Sequence, residues 1–202
     1  MIRPVFIKVG GSLFDSPDLP GRLSSYLEER QAGGERLVLL AGGGGAADLI
    51  RDLDRTFGLG DLRAHRLALR SLDLTAHILA ELVPGLDVVD ELSALDDAWN
   101  RGRIPVLAPR RWLDEVDAPS ADPLPPSWDV TSDAIAARVA VALGAEELVL
   151  LKSAPLPPGI DRREAARLGL VDPVFPAVAR TLKRVVYLNL RATRHVSVPM
   201  AP

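Results

Sequence analysis

Six short apolar, β-branched runs punctuate this chain: PVFIKV (4–9), RLVLLA (36–41), DVVD (87–90), IPVLA (104–108), ELVLL (147–151) and RVVYLNL (184–190). Between them lie segments with helical spacing of apolar residues: 18–31, 45–57, 62–83, 93–100, 131–143, 161–168 and 174–183. Apolar runs without polar alternation read as strands buried on both faces. Strands that alternate with helices are joined by crossovers and pair in parallel. The pattern predicts an α/β fold, a three-layer α/β/α sandwich around a mostly parallel open sheet. At 202 residues the chain suffices for one well-packed domain. The stretch 110–128, with DAPSADPLPPSW, reads as a loop across the top of the sheet. As a linker it would divide a single domain 1–202 into lobes of about 1–125 and 126–202, but neither half shows a core of its own. The tail TRHVSVPMAP reads as an edge strand or a frayed end.

Charge and composition narrow the function. The net charge of -3 does not suit nucleic acid or an anionic membrane as partner, since both favour a basic excess. There is no cysteine, which excludes disulfides, thiolate zinc sites and a cysteine nucleophile. The opening MIRPVFIKVGG is too interrupted for a signal sequence, and no apolar run approaches the ~20 residues of a membrane span. The expectation is a cytoplasmic globular protein.

Lysine is the rare cation. Lys8, Lys152 and Lys183 are the only three among 24 lysines and arginines. Lys8 and Lys152 each end an apolar strand, and ligands of open α/β sheets bind at the carboxyl ends of strands. A lysine there can simply reach solvent, but arginine would serve as well. A compact ammonium suits a phosphate where a wide guanidinium fork does not fit. Lys183, near the end of a predicted helix, suits a structural role against the helix dipole.

Glycines follow the same strand ends. Gly10, Gly11 and Ser12 come after the first; Gly42, Gly43, Gly44 and Gly45 come after the second and lead into AADLIRDLD. Such turns let backbone amides approach an anion at a helix N-terminus. Gly42, Gly44 and Ala47 also fit a loose dinucleotide fingerprint, with Asp61 as a ribose ligand. That keeps an NAD(P)-dependent oxidoreductase open. In SWDVTSDAIAARVA, Asp129 and Asp133 lie four apart at the start of an alanine-rich helix. Asp129 reads as the N-cap or its neighbour, and Asp133 as a first-turn carboxylate; a carboxylate there can orient lysine ammonium groups or hold a magnesium ion through water.

In this order, IKVGGS, LVLLAGGGGAADLIRD, WDVTSDAIAARVAVALGA and ELVLLK resemble the amino acid kinase family, which includes uridylate, isopentenyl phosphate and acetylglutamate kinases. The resemblance implies an ATP- and Mg²⁺-dependent phosphotransferase. It implies that Lys8, Asp133 and Lys152 form the catalytic set. Gly10, Gly11, Ser12, Gly43, Gly44 and Asp129 would hold substrate and phosphoryl group. Lys152, Ser153, Gly159 and Asp161 would hold the nucleotide in place of a T-D-V-D-G-like turn, with no protein metal ligands. AHRLALRSLDLTAHILAE and IDRREAARLGLVDPVFP are most similar to the branch that phosphorylates (5-(aminomethyl)furan-3-yl)methyl phosphate in methanofuran biosynthesis. The implied partners are a small-molecule phosphate acceptor and a second copy of the chain, paired through a first-lobe helix.

The acceptor pocket is expected beside the helix 62–83. There Arg63, His65, Arg66 and Arg70 offer cations and Asp73 a carboxylate, each also readable as an ordinary helix residue. His77, among apolar neighbours, reads as a core histidine. His195 in the tail has no visible partner. No P-loop, HExxH or Gly-x-Ser-x-Gly motif is present. A nucleotide sensor that keeps the fold without turnover is the remaining rival.

Overall fold

A seven-stranded sheet in the order β3-β4-β2-β1-β5-β6-β7 carries both halves of the chain. The computed structural model describes residues 3–193 and 196–201. The strands are β1 (Val5–Val9), β2 (Leu37–Ala41), β3 (Leu86–Val89), β4 (Ile104–Leu107), β5 (Glu147–Lys152), β6 (Val185–Asn189) and β7 (Ser197–Pro199). All neighbours pair in parallel except β6 and β7, which are antiparallel. The tail thus supplies the edge strand. His195 lies outside the described residues.

The helices are α1 (Leu19–Ala32), α2 (Gly44–Phe57), α3 (Asp61–Leu82), α4 (Leu95–Asn100), α5 (Arg110–Trp112), α6 (Ser132–Leu143), α7 (Arg162–Arg167) and α8 (Phe175–Val178). They cover both faces of the sheet, giving the α/β sandwich expected. Strand side chains alternate between faces. Phe6 joins the core under α6, while Val5, Ile7 and Val9 join the core under α1. The same period of two turns Lys8 toward α6. Leu148 and Leu150 also pack under α6, so Lys152 faces it as well.

Two sequence expectations change. Residues 110–117 are helical: α5 runs into a wider turn closed by Ala118 N–H on the Leu113 carbonyl at 2.8 Å. Trp112 and Leu113 are buried there, and buried Asp117 accepts from Arg138 Nε at 2.6 Å and Leu124 N–H at 2.8 Å. The helix expected at 174–183 stops at Val178 and continues only as a 3₁₀ turn, Ala179–Thr181. Buried Arg162 takes the Ala179 and Leu182 carbonyls at 2.7 and 3.1 Å and so ends it. Among the described residues no helix is long and apolar enough to cross a membrane.

Candidate active site

β1 lies between β2 and β5; the chain leaves β1 toward β2 and leaves β5 toward β6, in opposite directions across the sheet. This is the position where open α/β sheets bind ligands. Lys8 Nζ lies 2.8 Å from Asp133 Oδ1, in ionic contact but outside hydrogen-bonding geometry. Lys152 Nζ donates to Asp133 Oδ2 at 2.6 Å and to the Leu170 carbonyl at 2.8 Å. Lys8 and Asp133 are buried, at 3% and 4% exposure. One carboxylate therefore aligns two ammonium groups carried by adjacent strands.

Burial pushes the Asp133 carboxyl up, but Lys152 and Lys8 outweigh it and hold it down at about 2. Burial lowers the Lys152 ammonium to about 8; Asp133 pulls it up and Lys8 pushes it down. Each ammonium group carries three N–H donors, and the contacts to Asp133 and Leu170 do not use all of them, so donors remain for a phosphate oxygen.

The glycine turns border the cluster. A Cβ on Gly11 would sit 2.5 Å from Gly44 N, and one on Gly42 would sit 2.7 Å from Gly11 N. A Cβ on Gly10 would sit 2.8 Å from the Leu151 carbonyl oxygen. The two turns pack backbone to backbone, which only glycine permits. Gly43 is the N-cap of α2 and no side chain caps that terminus. Its first-turn N–H groups thus remain donors for an anion. Ser12 and Ser153 meet through their hydroxyls at 2.7 Å, joining the turn after β1 to the segment after β5.

A cavity of about 610 Å³ opens beside these glycines. Phe14, Leu69, Leu72 and Ile135 give it an apolar side, and Asp15, Asp48, Arg51 and His65 a polar one. The Arg51 guanidinium lies 4.7 Å from the Trp128 ring centroid, and Trp128 Nε1 donates to Asp54 at 2.8 Å. Burial lowers the His65 pKa, partly offset by the Ser127 backbone beside it.

Other candidates fall elsewhere. Arg63, Arg66 and Arg70 are exposed on α3 and do not line the cavity, and Asp61 is exposed in that helix's first turn. Asp73 pairs with Arg110 at 3.1 Å. His77 is exposed, not a core residue, because it sits on the outer face of α3. Lys183 is exposed just past the 3₁₀ turn that ends at Thr181. Gly159 occupies an exposed turn with φ +79°, and Asp161 caps α7 by accepting from Glu164 N–H at 2.7 Å. Neither lines the main cavity.

Asp129 is exposed and does not cap α6; the N-cap is Thr131. The carboxylate that serves this helix start is Asp172, which the sequence did not single out. Asp172 Oδ2 accepts from Thr131 N–H at 3.1 Å, Thr131 Oγ1 at 3.0 Å and Ala134 N–H at 2.8 Å. Its Oδ1 accepts from Phe175 N–H at 2.8 Å.

The profile of the amino acid kinase family matches residues 3–155. The chain is 26% identical over 193 residues to [5-(aminomethyl)furan-3-yl]methyl phosphate kinase of Methanocaldococcus jannaschii, covering 90% of this chain and 85% of that protein. Solved structures of similar fold include uridylate kinase of Archaeoglobus fulgidus, with TM-score 0.64, 16% identity and coverage of 92% of this chain and 90% of that one. UMP kinase of Bacillus anthracis matches with TM-score 0.63 and 13% identity, covering 95% and 88%. With the lysine–aspartate cluster set beside two glycine turns, the conclusion is that this chain belongs to the amino acid kinase family and is a phosphotransferase.

Proposed function

We propose that the chain transfers the γ-phosphoryl group of ATP to a phosphate oxygen of a small phosphate monoester, of the kind represented by (5-(aminomethyl)furan-3-yl)methyl phosphate. The observation that carries this reading is the buried Lys8–Asp133–Lys152 cluster beside two close-packed glycine turns. The M. jannaschii relative, named for that acceptor, supports the acceptor class. The cavity supports it too. Its apolar side suits a small ring, while Asp15 and Asp48 at its polar side pair with Arg191 and Arg51.

In this mechanism an acceptor phosphate oxygen attacks the γ-phosphorus in line, the bond to the β–γ bridging oxygen breaks, and ADP leaves. The acceptor oxygen is already ionised, so no general base is required. Lys8 and Lys152 offset charge on the migrating group, Asp133 holds both ammonium groups in place, and the amides of Gly11, Gly43 and Gly44 donate to phosphate oxygens. The Gly10 N–H is taken by the Leu151 carbonyl at 2.8 Å, which leaves Gly10 only the role of a close-packed turn. The glycine cradle that any Cβ would fill fits a polyphosphate. Mg²⁺ arriving with ATP would supply charge neutralisation on the phosphates during transfer.

Residues of about 1–125 contribute the acceptor side and about 126–202 the nucleotide side, with Ser153 the nearest candidate contact after β5. The reading includes a cytoplasmic enzyme paired with a second copy along α3. That helix leaves Leu67, Leu74, Ile78 and Leu82 exposed in one stripe.

The test is ADP release from Mg-ATP with the aminomethylfuran phosphate, isopentenyl phosphate, UMP, acetylglutamate and glutamate. Release with the furan phosphate alone is expected. Release with another member keeps the kinase and replaces the acceptor. ATP binding without release from any of them favours a nucleotide sensor and overturns the proposal.

A further inference from the structure

We propose that Asp172 is a positioning residue for phosphoryl transfer: from the turn between α7 and α8 it holds the start of α6, and with it Asp133, in register with Lys152. The inference rests on the kinase reading of the Lys8–Asp133–Lys152 cluster.

The geometry is that of a clamp. Two residues of one turn, Leu170 and Asp172, reach Lys152 and the backbone that flanks Asp133. The Leu170 carbonyl accepts from Lys152 Nζ at 2.8 Å. Two residues on, the Asp172 carboxylate accepts from the backbone of Thr131 and Ala134, on either side of Asp133. The turn has little freedom of its own. Asp172 also takes Phe175 N–H at 2.8 Å, Phe175 is fully buried, and Arg162 ties α7 to the Ala179 and Leu182 carbonyls. A shift of the turn would therefore move Lys152 and Asp133 together, and loss of the carboxylate would leave the start of α6 without its acceptor.

A neutral side chain in place of a cap would serve the helix as well if capping were the whole role. Asp172 instead brings a second buried carboxylate to a group with two lysines. Lys8 from β1, Lys152 from β5, Asp133 from α6 and Asp172 from the turn then balance to zero formal charge; the Tyr187 phenol of β6, pushed up to about 12 by burial and by Asp133, stays neutral. Burial and the neighbouring Asp133 raise the Asp172 carboxyl to about 6, against the hydrogen bonds from Ala134 and Thr131. At neutral pH it is ionised, and its charge raises the Lys152 pKa toward the range where the ammonium persists. Removing that charge moves Lys152 titration to lower pH, which a purely structural cap would not do.

The experiment uses the scarcity of lysine. With three lysines in the chain, lysine-selective ¹³Cε labelling gives three side-chain signals that can be followed with pH. In Asp172→Asn the buried lysine titrating near pH 8 is expected to move to lower pH. kcat is expected to fall tenfold or more, the acceptor KM to change less than threefold, and the alkaline limb of kcat/KM to move in the same direction. An unmoved lysine titration, or kcat within twofold of the parent, overturns the assignment. Should Asp172→Asn fail to fold, Thr131→Val decides: it removes one hydrogen bond to the carboxylate and is expected to lower kcat at least threefold, and parental kcat overturns the assignment. The lysine titration needs no turnover. A parent without acceptor-dependent ADP release would defeat the kinase reading while the titration still reports whether Asp172 sets the charge of Lys152.

Discussion

On most protein surfaces lysine and arginine exchange at little cost, but Lys8 has no surface to move into. Its ammonium is buried against one oxygen of Asp133, and the other oxygen belongs to Lys152. A guanidinium is wider and would have to displace one of the two contacts. Lys8→Arg is expected to keep its circular dichroism spectrum and lose on the order of 100-fold or more in kcat; parental turnover would remove Lys8 from the transfer step. Gly11 makes the backbone counterpart of this argument. Its Cβ position lies 2.5 Å from Gly44 N and 3.0 Å from Gly44 Cα, and neither atom can rotate away. Gly11→Ala is expected to destabilise by about 1–3 kcal/mol and weaken ATP binding, by melting and titration. Gly45→Ala meets nothing within 4 Å and should do neither. At this scale the two lysines were visible in the sequence because they are rare and end strands. Asp172 was not. Its partners lie 38 and 41 residues away, and an Asp-Pro pair in LVDPVFP carries only a turn signal. Asp129 had the local signature of a cap, and the distant carboxylate took the role.

Helices and strands followed periodicity closely where one apolar face repeats, as in α3, found at Asp61–Leu82 for an expected 62–83. They departed where tertiary contacts end or extend a helix. Arg162 stops α8 by taking carbonyls that a longer helix would need, and Asp117 stabilises a helical turn in a stretch whose prolines read as loop. α3 also shows what periodicity alone leaves open. Its inner face, with Leu69, Leu72, Ala76 and Leu79, is buried, while Leu74 is 51% exposed and Ile78 39% on the outer face. Exposed apolar positions seven, four and four residues apart form a seam suited to another helix. Leu74→Glu with Ile78→Glu is expected to convert a dimer to a monomer in sedimentation velocity. A parent that sediments as a monomer would defeat the pairing reading.

For the whole molecule, the sequence supplied the class of fold and the strands, but not their order. Nothing in VFIKV says that it lies between β2 and β5; that follows from which crossovers fit together across 202 residues. The pairing of β1 with β5, Val5 opposite Glu147 through Val9 opposite Leu151, has a consequence in time. The two cationic ends of the site are 144 residues apart in the chain, and the carboxylate between them arrives only with α6. Such non-local contacts close late, after the entropy of a long loop has been lost. During synthesis the first strand can pair with β2 early, but its lysine must wait without this counter-ion until about two-thirds of the protein exists, and Lys152 follows only at about three-quarters. Catalytic competence in this chain is a property of completed folding, and no early fragment can acquire it.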